Sequence, residues 1–376
     1  MSVLSNVILH LLFEDKFGEY AIRQFSGEEM CSEFVLITNS SASGCHHQFE
    51  GVKAITEDSE GFHHLLNRLG DYKAIILHGL FYPWQERVLM AVPANVKVAW
   101  VFWGGDIYGR ADFKDKYLSK SSKRLLLAQT IKRLIKGRHI PRGYEIPFEL
   151  LKRIDYCLTD IQEDFALVKE YLKTDIKELW YNYYSVEETI GELSHTKCDG
   201  ANILIGNSCS LECNHVDGFN AVKKIRIPPG SKIYVPLSYG ESWLKNAVTK
   251  RGRKQFGDVF IPLTTFLPRM QYNTIIKSCS MVIMPHYRPQ AFGNILTALW
   301  LGARVFLSER NMLYNFFKRI GITLYSIESD LNSGNQALWS PLPDDAVEDN
   351  RKIISSIYSI ETMHQKNLEL INILNR

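Results

Sequence analysis

Seven cysteines, at 31, 45, 157, 198, 209, 213 and 279, include no Cys-x-x-Cys pair. An odd, scattered set supports neither a disulfide framework nor a zinc knuckle and suits a reducing compartment. Cys209, Cys213 and His215 lie close enough in sequence to suggest ligands, but buried thiols are the expectation there. No stretch approaches the roughly 20 apolar residues that span a bilayer. No Lys or Arg precedes the apolar run Val7–Phe13, and no small-residue cleavage site follows it. The expected location is therefore cytoplasmic, with attachment to a membrane surface left open. Low-complexity tracts are missing, and 45% hydrophobic with 23% charged residues describes a globular protein. A net charge of +3, without interleaved stacking aromatics or a known binding motif, gives no case for nucleic acid. Neither an Asp-x-Asp pair nor a Walker or GxGxxG loop occurs, and no obligatory metal or other cofactor is expected.

What is present is the alternation of an α/β protein. The 376 residues suit two domains, expected at 1–185 and 200–376, with the polar Ser185–Gly200 segment as linker. Strands are read at Val3–Phe13, Phe34–Ile37, Val52–Ile55, Ala74–His78 and Val96–Phe102. The second half opens with strands at Ala201–Ile205 and Lys232–Pro236. Between Met281 and Ser308 the pattern runs strand, polar loop, helix, Gly302, strand, the unit from which doubly wound sheets are built. A last helix is expected from about Val347 to Leu374, with a return to the first domain held open. His46 and His47 read as surface residues of a Ser/Gly-rich loop.

Ligands of such sheets sit outside the carboxyl ends of the strands. In the first half those ends carry His78-Gly79 and Trp103-Gly104-Gly105-Asp106, which makes His78 and Asp106 the candidate acid–base residues. In the second, Gly206-Asn207-Ser208 follows a strand at once, and Arg288–Asn294 leads into a helix. A helix N-terminus offers unpaired N–H groups to an anion, so Arg288–Asn294 is read as a diphosphate cradle, with Gly293 admitting close backbone approach.

From Arg110 to Arg142 the composition changes: eleven Lys/Arg stand against Asp112 and Asp115. Lys123, Arg124, Lys132, Arg133 and Lys136 flank an apolar face formed by residues 125, 126, 127, 131, 134 and 135. A basic amphipathic helix of this kind suits an anionic membrane surface or a phosphorylated lipid.

Taken in order, these motifs resemble the GT-B architecture of sugar-nucleotide glycosyltransferases: two doubly wound Rossmann-like domains with a cleft between them. The Met281–Ser308 stretch is similar to the donor-binding segment of the retaining members, with departures. Phe292 and Gly293 match, but Gln290 and Ala298 stand where that pattern has glutamates, so Thr297 or another binding mode would have to hold the ribose. A closer resemblance is to the bacterial 4-acetamido-4,6-dideoxygalactose (Fuc4NAc) transferases of enterobacterial common antigen synthesis. It rests on His78-Gly79-x-Phe81, Trp103-Gly104-x-Asp106-x-Tyr108, Gly206-Asn207-Ser208 with His215, Val235-Pro236 with Tyr239, and Arg288–Gly293. The resemblance implies transfer of a 4-amino-4,6-dideoxyhexose from a dTDP-sugar to a polyprenyl-diphosphate-linked saccharide at the cytoplasmic face of the inner membrane. Its donor-binding residues would be Asn207, Ser208, His215, Tyr239, Arg288, Gln290, Phe292, Gly293, Asn294 and Thr297. Another O-antigen or capsule sugar, or a sugar-nucleotide epimerase of the same architecture, are the alternatives.

Overall fold

A computed structural model describes residues 6–13, 15–38, 49, 52–113, 115–137, 143–331 and 339–376. His46 and His47 lie outside the described residues. The chain divides into two compact units, one of residues 1–110, 142–184 and 360–376, the other of 111–141 and 185–359.

The first unit holds a sheet of seven strands: β1 (Ile8–Leu12), β2 (Ser32–Thr38), β3 (Lys53–Thr56), β4 (Ala74–His78), β5 (Lys97–Val101), β6 (Tyr156–Leu158) and β7 (Lys177–Leu179). Their spatial order is β3-β2-β1-β4-β5-β6-β7, and every pairing is parallel. The second unit holds β8 (Asn202–Ile205), β9 (Ile233–Pro236), β10 (Phe260–Leu263), β11 (Cys279–Met284), β12 (Arg304–Leu307) and β13 (Tyr325–Ser326). Their order is β10-β9-β8-β11-β12-β13, again parallel throughout. In both sheets the strand order reverses beside the first strand of the unit, between β1 and β4 and between β8 and β11. That reversal opens a crevice at the carboxyl ends, where a ligand can enter.

The central strands are apolar apart from His10, His78 and Ser280, as suits strands covered on both faces. β1, β4 and β11 are buried at every residue. Ile8, Leu12, Ile76, Ala99 and Leu158 anchor one core, joined by Leu370, Ile371 and Leu374 of the Ile360–Asn375 helix. Ile203, Ile205, Phe219, Val235, Met281 and Ile283 anchor the other.

Three expected boundaries differ. The Lys120–Ile135 helix packs in the second unit, since Leu125 lies against that core and Asn214 bonds its first turn: Oδ1 accepts from Ser119 N at 2.9 Å and from Ser122 Oγ at 2.9 Å. The expected linker is ordered. Ser185 caps a helix at Val186–Ile190 through a capping box with Glu188. The last helix is two, Asp344–Tyr358 and Ile360–Asn375, because Ser359 takes extended backbone angles (φ −68°, ψ 153°). The second of these belongs to the first unit.

Candidate functional site

At the carboxyl end of the first sheet, β4 runs into His78 and Gly79. Gly79 has φ +90°, and a Cβ there would fall 2.8 Å from a ring carbon of Phe81 and 2.9 Å from one of Phe13. Only glycine allows that turn between two rings. His78 is buried and sits in a chain of hydrogen bonds. Trp103 Nε1–H donates to Tyr183 Oη at 2.8 Å, so the tyrosine hydroxyl is free to donate to His78 Nδ1, also at 2.8 Å. His78 Nε2–H then donates to His10 Nδ1 at 3.1 Å, and His10 Nε2–H to Ser32 Oγ at 3.2 Å. Ser32 closes the series on the Met30 carbonyl. One choice of neutral tautomers satisfies every link. Burial drives both imidazoles down, His78 to about 3 and His10 well below its ordinary 6.5, with His78 adding to the fall at His10. Both His78 nitrogens are therefore committed.

Asp106 differs. It lies in the first turn of the short helix Gly105–Tyr108, entered through Gly104 at φ 78°. Its Oδ2 accepts from Trp100 Nε1 at 2.8 Å and from Trp103 N at 3.3 Å. Its Oδ1 is buried without a partner. Burial pushes the carboxyl up to about 7 against the pull of those bonds, so it exchanges a proton near neutrality. Of the two acid–base candidates, Asp106 has the uncommitted oxygen.

The second sheet ends in a polar constellation. β8 turns at Gly206 (φ +71°) into Asn207 and Ser208. Cys213 Sγ donates to Asn207 Oδ1 at 3.1 Å and lies 3.4 Å from Ser208 Oγ. Gln290 Nε2 reaches the same sulfur at 3.7 Å, and Asn207 Nδ2 reaches Tyr239 Oη at 3.4 Å. The positive charge of Arg288 is near enough to lower the Tyr239 hydroxyl, although burial wins and raises it. Asn294 Nδ2 donates to Tyr272 Oη at 3.3 Å. Asn207, Ser208, Tyr239, Gln290 and Arg288 are thus gathered at the β8/β11 end, where the Phe292–Trp300 helix begins. Its first-turn N–H groups carry the positive end of the helix dipole.

Three expected donor residues have other engagements. The Thr297 hydroxyl is buried and donates to the Gly293 carbonyl at 2.9 Å, within its own helix. The Phe292 ring stacks on Phe317 (5.8 Å, 8°) and meets Tyr358 edge-on at 5.2 Å, which fastens the helix to its neighbours. Gly293 is an ordinary helical residue. The left-handed position at this turn is Ala291, at φ 60°.

His215 opens the His215–Val222 helix behind Asn214, and its buried Nε2 has no partner. Burial lowers it to about 4. His286, which the sequence reading passed over, follows β11 directly after Pro285. It is fully buried and lowered to about 3, first by burial and then by Arg288. Its Nδ1 lies 2.7 Å from Asn311 Nδ2 and 3.1 Å from the Arg288 carbonyl, while Nε2 again lacks a partner. A histidine one residue past a strand-ending proline was the available signal. Cys213, singled out in the sequence beside Cys209 and His215, serves here as a hydrogen-bonding hub, linking Asn207 and Ser208 just before it to Gln290 far along the chain. Among the described residues, no group of three or more His, Cys, Asp or Glu side chains is arranged to hold a metal ion.

On the Lys120–Ile135 helix, Leu127, Ile131, Leu134 and Ile135 are exposed by 60, 46, 61 and 80%. Their spacing places them on one stripe. Lys123, Arg124 and Lys132 are exposed beside it, as is Lys136 at the cap; Arg133 is half-buried.

No protein-family model and no curated protein matches the chain by sequence. Its structure is similar to several solved ones. Sucrose-phosphate synthase from Thermosynechococcus elongatus aligns over 98% of this chain and 99% of its own, with a TM-score of 0.64 and 11% identity. The apo form of the lipopolysaccharide outer core galactosyltransferase WaaB aligns over 98% and 99%, at 0.62 and 11%. HepE from Anabaena, solved with UDP and glucose, aligns over 98% and 94%, at 0.53 and 11%. With its two parallel sheets of seven and six strands, the chain has the GT-B fold of those glycosyltransferases.

Proposed function

We propose that the protein is a glycosyltransferase that uses a nucleotide sugar. The observation that carries this is the cluster at the β8/β11 switch point: Asn207, Ser208, Tyr239, Gln290 and Arg288 beside the start of the Phe292–Trp300 helix. Of the similar structures, WaaB is a lipopolysaccharide outer core galactosyltransferase and HepE holds UDP and glucose. Breaking the bond between a sugar and a diphosphate leaves charge on the phosphate oxygens. Fixed N–H groups and a guanidinium stabilise that charge without reorganising. In this reading they do so without an obligatory divalent ion. Asp106, with its uncommitted oxygen and a carboxyl that titrates near 7, takes the proton of the attacking hydroxyl.

In the finer form of the proposal, the donor is a dTDP-linked 4-amino-4,6-dideoxyhexose and the acceptor a saccharide on a polyprenyl diphosphate. The ordered motifs support the donor. The exposed apolar stripe with its lysines and arginines supports the acceptor, because it suits an anionic bilayer at the cytoplasmic face of a bacterial inner membrane. No helix of the described residues is long and apolar enough to cross a membrane.

The test is thermal stability in the presence of dTDP, UDP and GDP. A nucleotide at 100 times its dissociation constant should add about 2.7 kcal/mol. Stabilisation by dTDP alone is expected. Stabilisation by UDP alone would move the proposal to another sugar, and indifference to all three would refute it. Separately, anionic vesicles should pellet the protein at low salt. An Ile131→Glu, Leu134→Glu pair should lose that binding while changing stability by no more than about 0.5 kcal/mol, as befits exposed sites.

A further inference from the structure

The turn after β12 reads Ser308-Glu309-Arg310-Asn311, and Asn311 N closes it on the Ser308 carbonyl at 2.9 Å. Asn311 is fully buried and caps the Met312–Arg319 helix, its Oδ1 accepting from Leu313 N at 3.0 Å. That bond fixes which way the amide faces. Nδ2 is turned to the loop that follows β11, 3.1 Å from the His286 carbonyl, 3.1 Å from the Arg288 carbonyl and 2.7 Å from His286 Nδ1. One amide nitrogen thus serves three acceptors across three residues of loop. Because His286 Nδ1 meets a donor so closely, it presents its lone pair, and the ring's proton sits on Nε2. Arg310, the neighbour of Asn311, lies over the Tyr287 ring, 3.9 Å from its centre. Two successive residues of one turn therefore hold the backbone on both sides of Tyr287 and the Tyr287 ring itself.

The same helix reaches the other half of the candidate anion site. Phe317, buried in its body, stacks on Phe292, the first residue of the Phe292–Trp300 helix. One short rigid element thus touches the Arg288 loop at its cap and the start of the cradle helix further along. Arg288 is half-buried, and its Nη1 donates to the Pro289 carbonyl at 3.1 Å. Proline fixes φ on that side, which leaves the 286–288 backbone as the part that aims the guanidinium. A second buried asparagine shows what a purely architectural role looks like. Asn350 Oδ1 accepts from Thr323 N at 2.8 Å, and Nδ2 donates to the Thr323 carbonyl at 3.3 Å. It ties one helix to a segment that holds none of the candidate site residues.

We propose that Asn311 is a positioning residue for the anion site, holding the His286–Arg288 backbone so that the Arg288 guanidinium and the start of the Phe292–Trp300 helix meet one diphosphate. This rests on the nucleotide-sugar reading above and adds a residue, outside the expected donor set, on which the geometry of that site depends. A guanidinium aimed in advance needs no reordering when the phosphate arrives. The experiment is calorimetric titration of the full-length protein with dTDP, UDP and GDP. Asn311→Ser keeps an oxygen to cap the helix and removes the amide that holds the loop. It should weaken binding of the nucleotide that the wild type takes by about tenfold, the scale of one hydrogen bond to a charged group. Arg288→Gln should weaken it at least as much. The two together should do no more than Arg288→Gln alone, because residues that act through one another are not additive. Asn350→Ala should lower thermal stability and leave the dissociation constant unchanged. Should Asn311→Ser fail to fold, Asn311→Asp keeps both the volume and the cap, and the same loss is expected of it. Undiminished binding in a folded Asn311 variant, losses that add in full to that of Arg288→Gln, or an equal loss in Asn350→Ala would overturn the proposal and leave the nucleotide-sugar reading standing. Failure of all three nucleotides to bind the wild type would overturn both.

Discussion

The two switch points are built on the same sheet plan and finished in opposite ways. At β1/β4 the buried imidazoles of His10 and His78 are paired on both sides, and the outer surface is aromatic. At β8/β11 the imidazoles of His215 and His286 each keep a buried nitrogen without a partner, and the surroundings are amide, hydroxyl, thiol and guanidinium. Completing every bond rigidifies a network, whereas open ones leave capacity for something not yet bound. The first end is a finished platform with one open carboxylate; the second is an incomplete polar shell.

The largest effect that would sharpen this contrast is at that carboxylate. Asp106→Asn should cut turnover by about 10²–10⁴ while leaving nucleotide stabilisation intact, because the proposed nucleotide contacts belong to the other end. With the carboxyl pushed up to about 7, kcat/KM should rise with pH through that value and then level off. A flat profile, or loss of nucleotide binding in the same variant, would break the division of labour.

Next in size is the response to acid. All four histidines are lowered in the folded protein, so the unfolded chain takes up protons first as pH falls below about 6.5. Stability is fully present above that value and falls below it, by up to about 1.4 kcal/mol per pH unit for each histidine. Asp106 works in the other direction: its raised carboxyl favours the fold increasingly as pH drops below about 7. A proton on His10 or His78 breaks a bond, but one on His215 or His286 has an open nitrogen to occupy. Hydrogen exchange should therefore show the amides of β1 and β4 losing protection at a higher pH than those of β8 and β11. The reverse order would undo the contrast.

The smallest effect is steric. Gly79→Ala would press a methyl group onto two packed rings at 2.8 and 2.9 Å, and Gly206→Ala would meet the His215 ring less closely, at 3.2 and 3.4 Å, with Cys213 Cβ at 3.9 Å. Both replacements pay for positive φ, so the difference between them isolates the packing. Stability, read from thermal melting, should fall further for Gly79→Ala, by an additional 1–3 kcal/mol or so. Equal losses would mean that the rings yield as readily as the imidazole.

Much of this plan could be read before any coordinates. Ala74–His78 and Met281–Met284 announce themselves because strands covered on both faces carry no polar interruption. Gly79, Asp106 and Gly206 stand out because glycine and a charged or polar residue follow such runs at once. What stayed hidden depends on long-range partners. Amphipathicity in Lys120–Ile135 shows that one side wants burial, but Leu125 finds its core through Asn214, some 90 residues on. Thr297 looked available to a ligand, yet a hydroxyl within a helix can turn to the carbonyl four residues back. Cys213 reads as an inert thiol until Gln290, 77 residues on, joins the nearby Asn207 and Ser208 around it.

The three-part make-up of the first unit sets an order of assembly during synthesis. Residues 111–141 and 185–359 can close their own core while the first sheet still lacks Leu370, Ile371 and Leu374. A nascent chain halted at Ser359 would carry a finished second half and a first half with an open apolar seam. For the ribosome-bound protein, the segment made earliest is the one completed last.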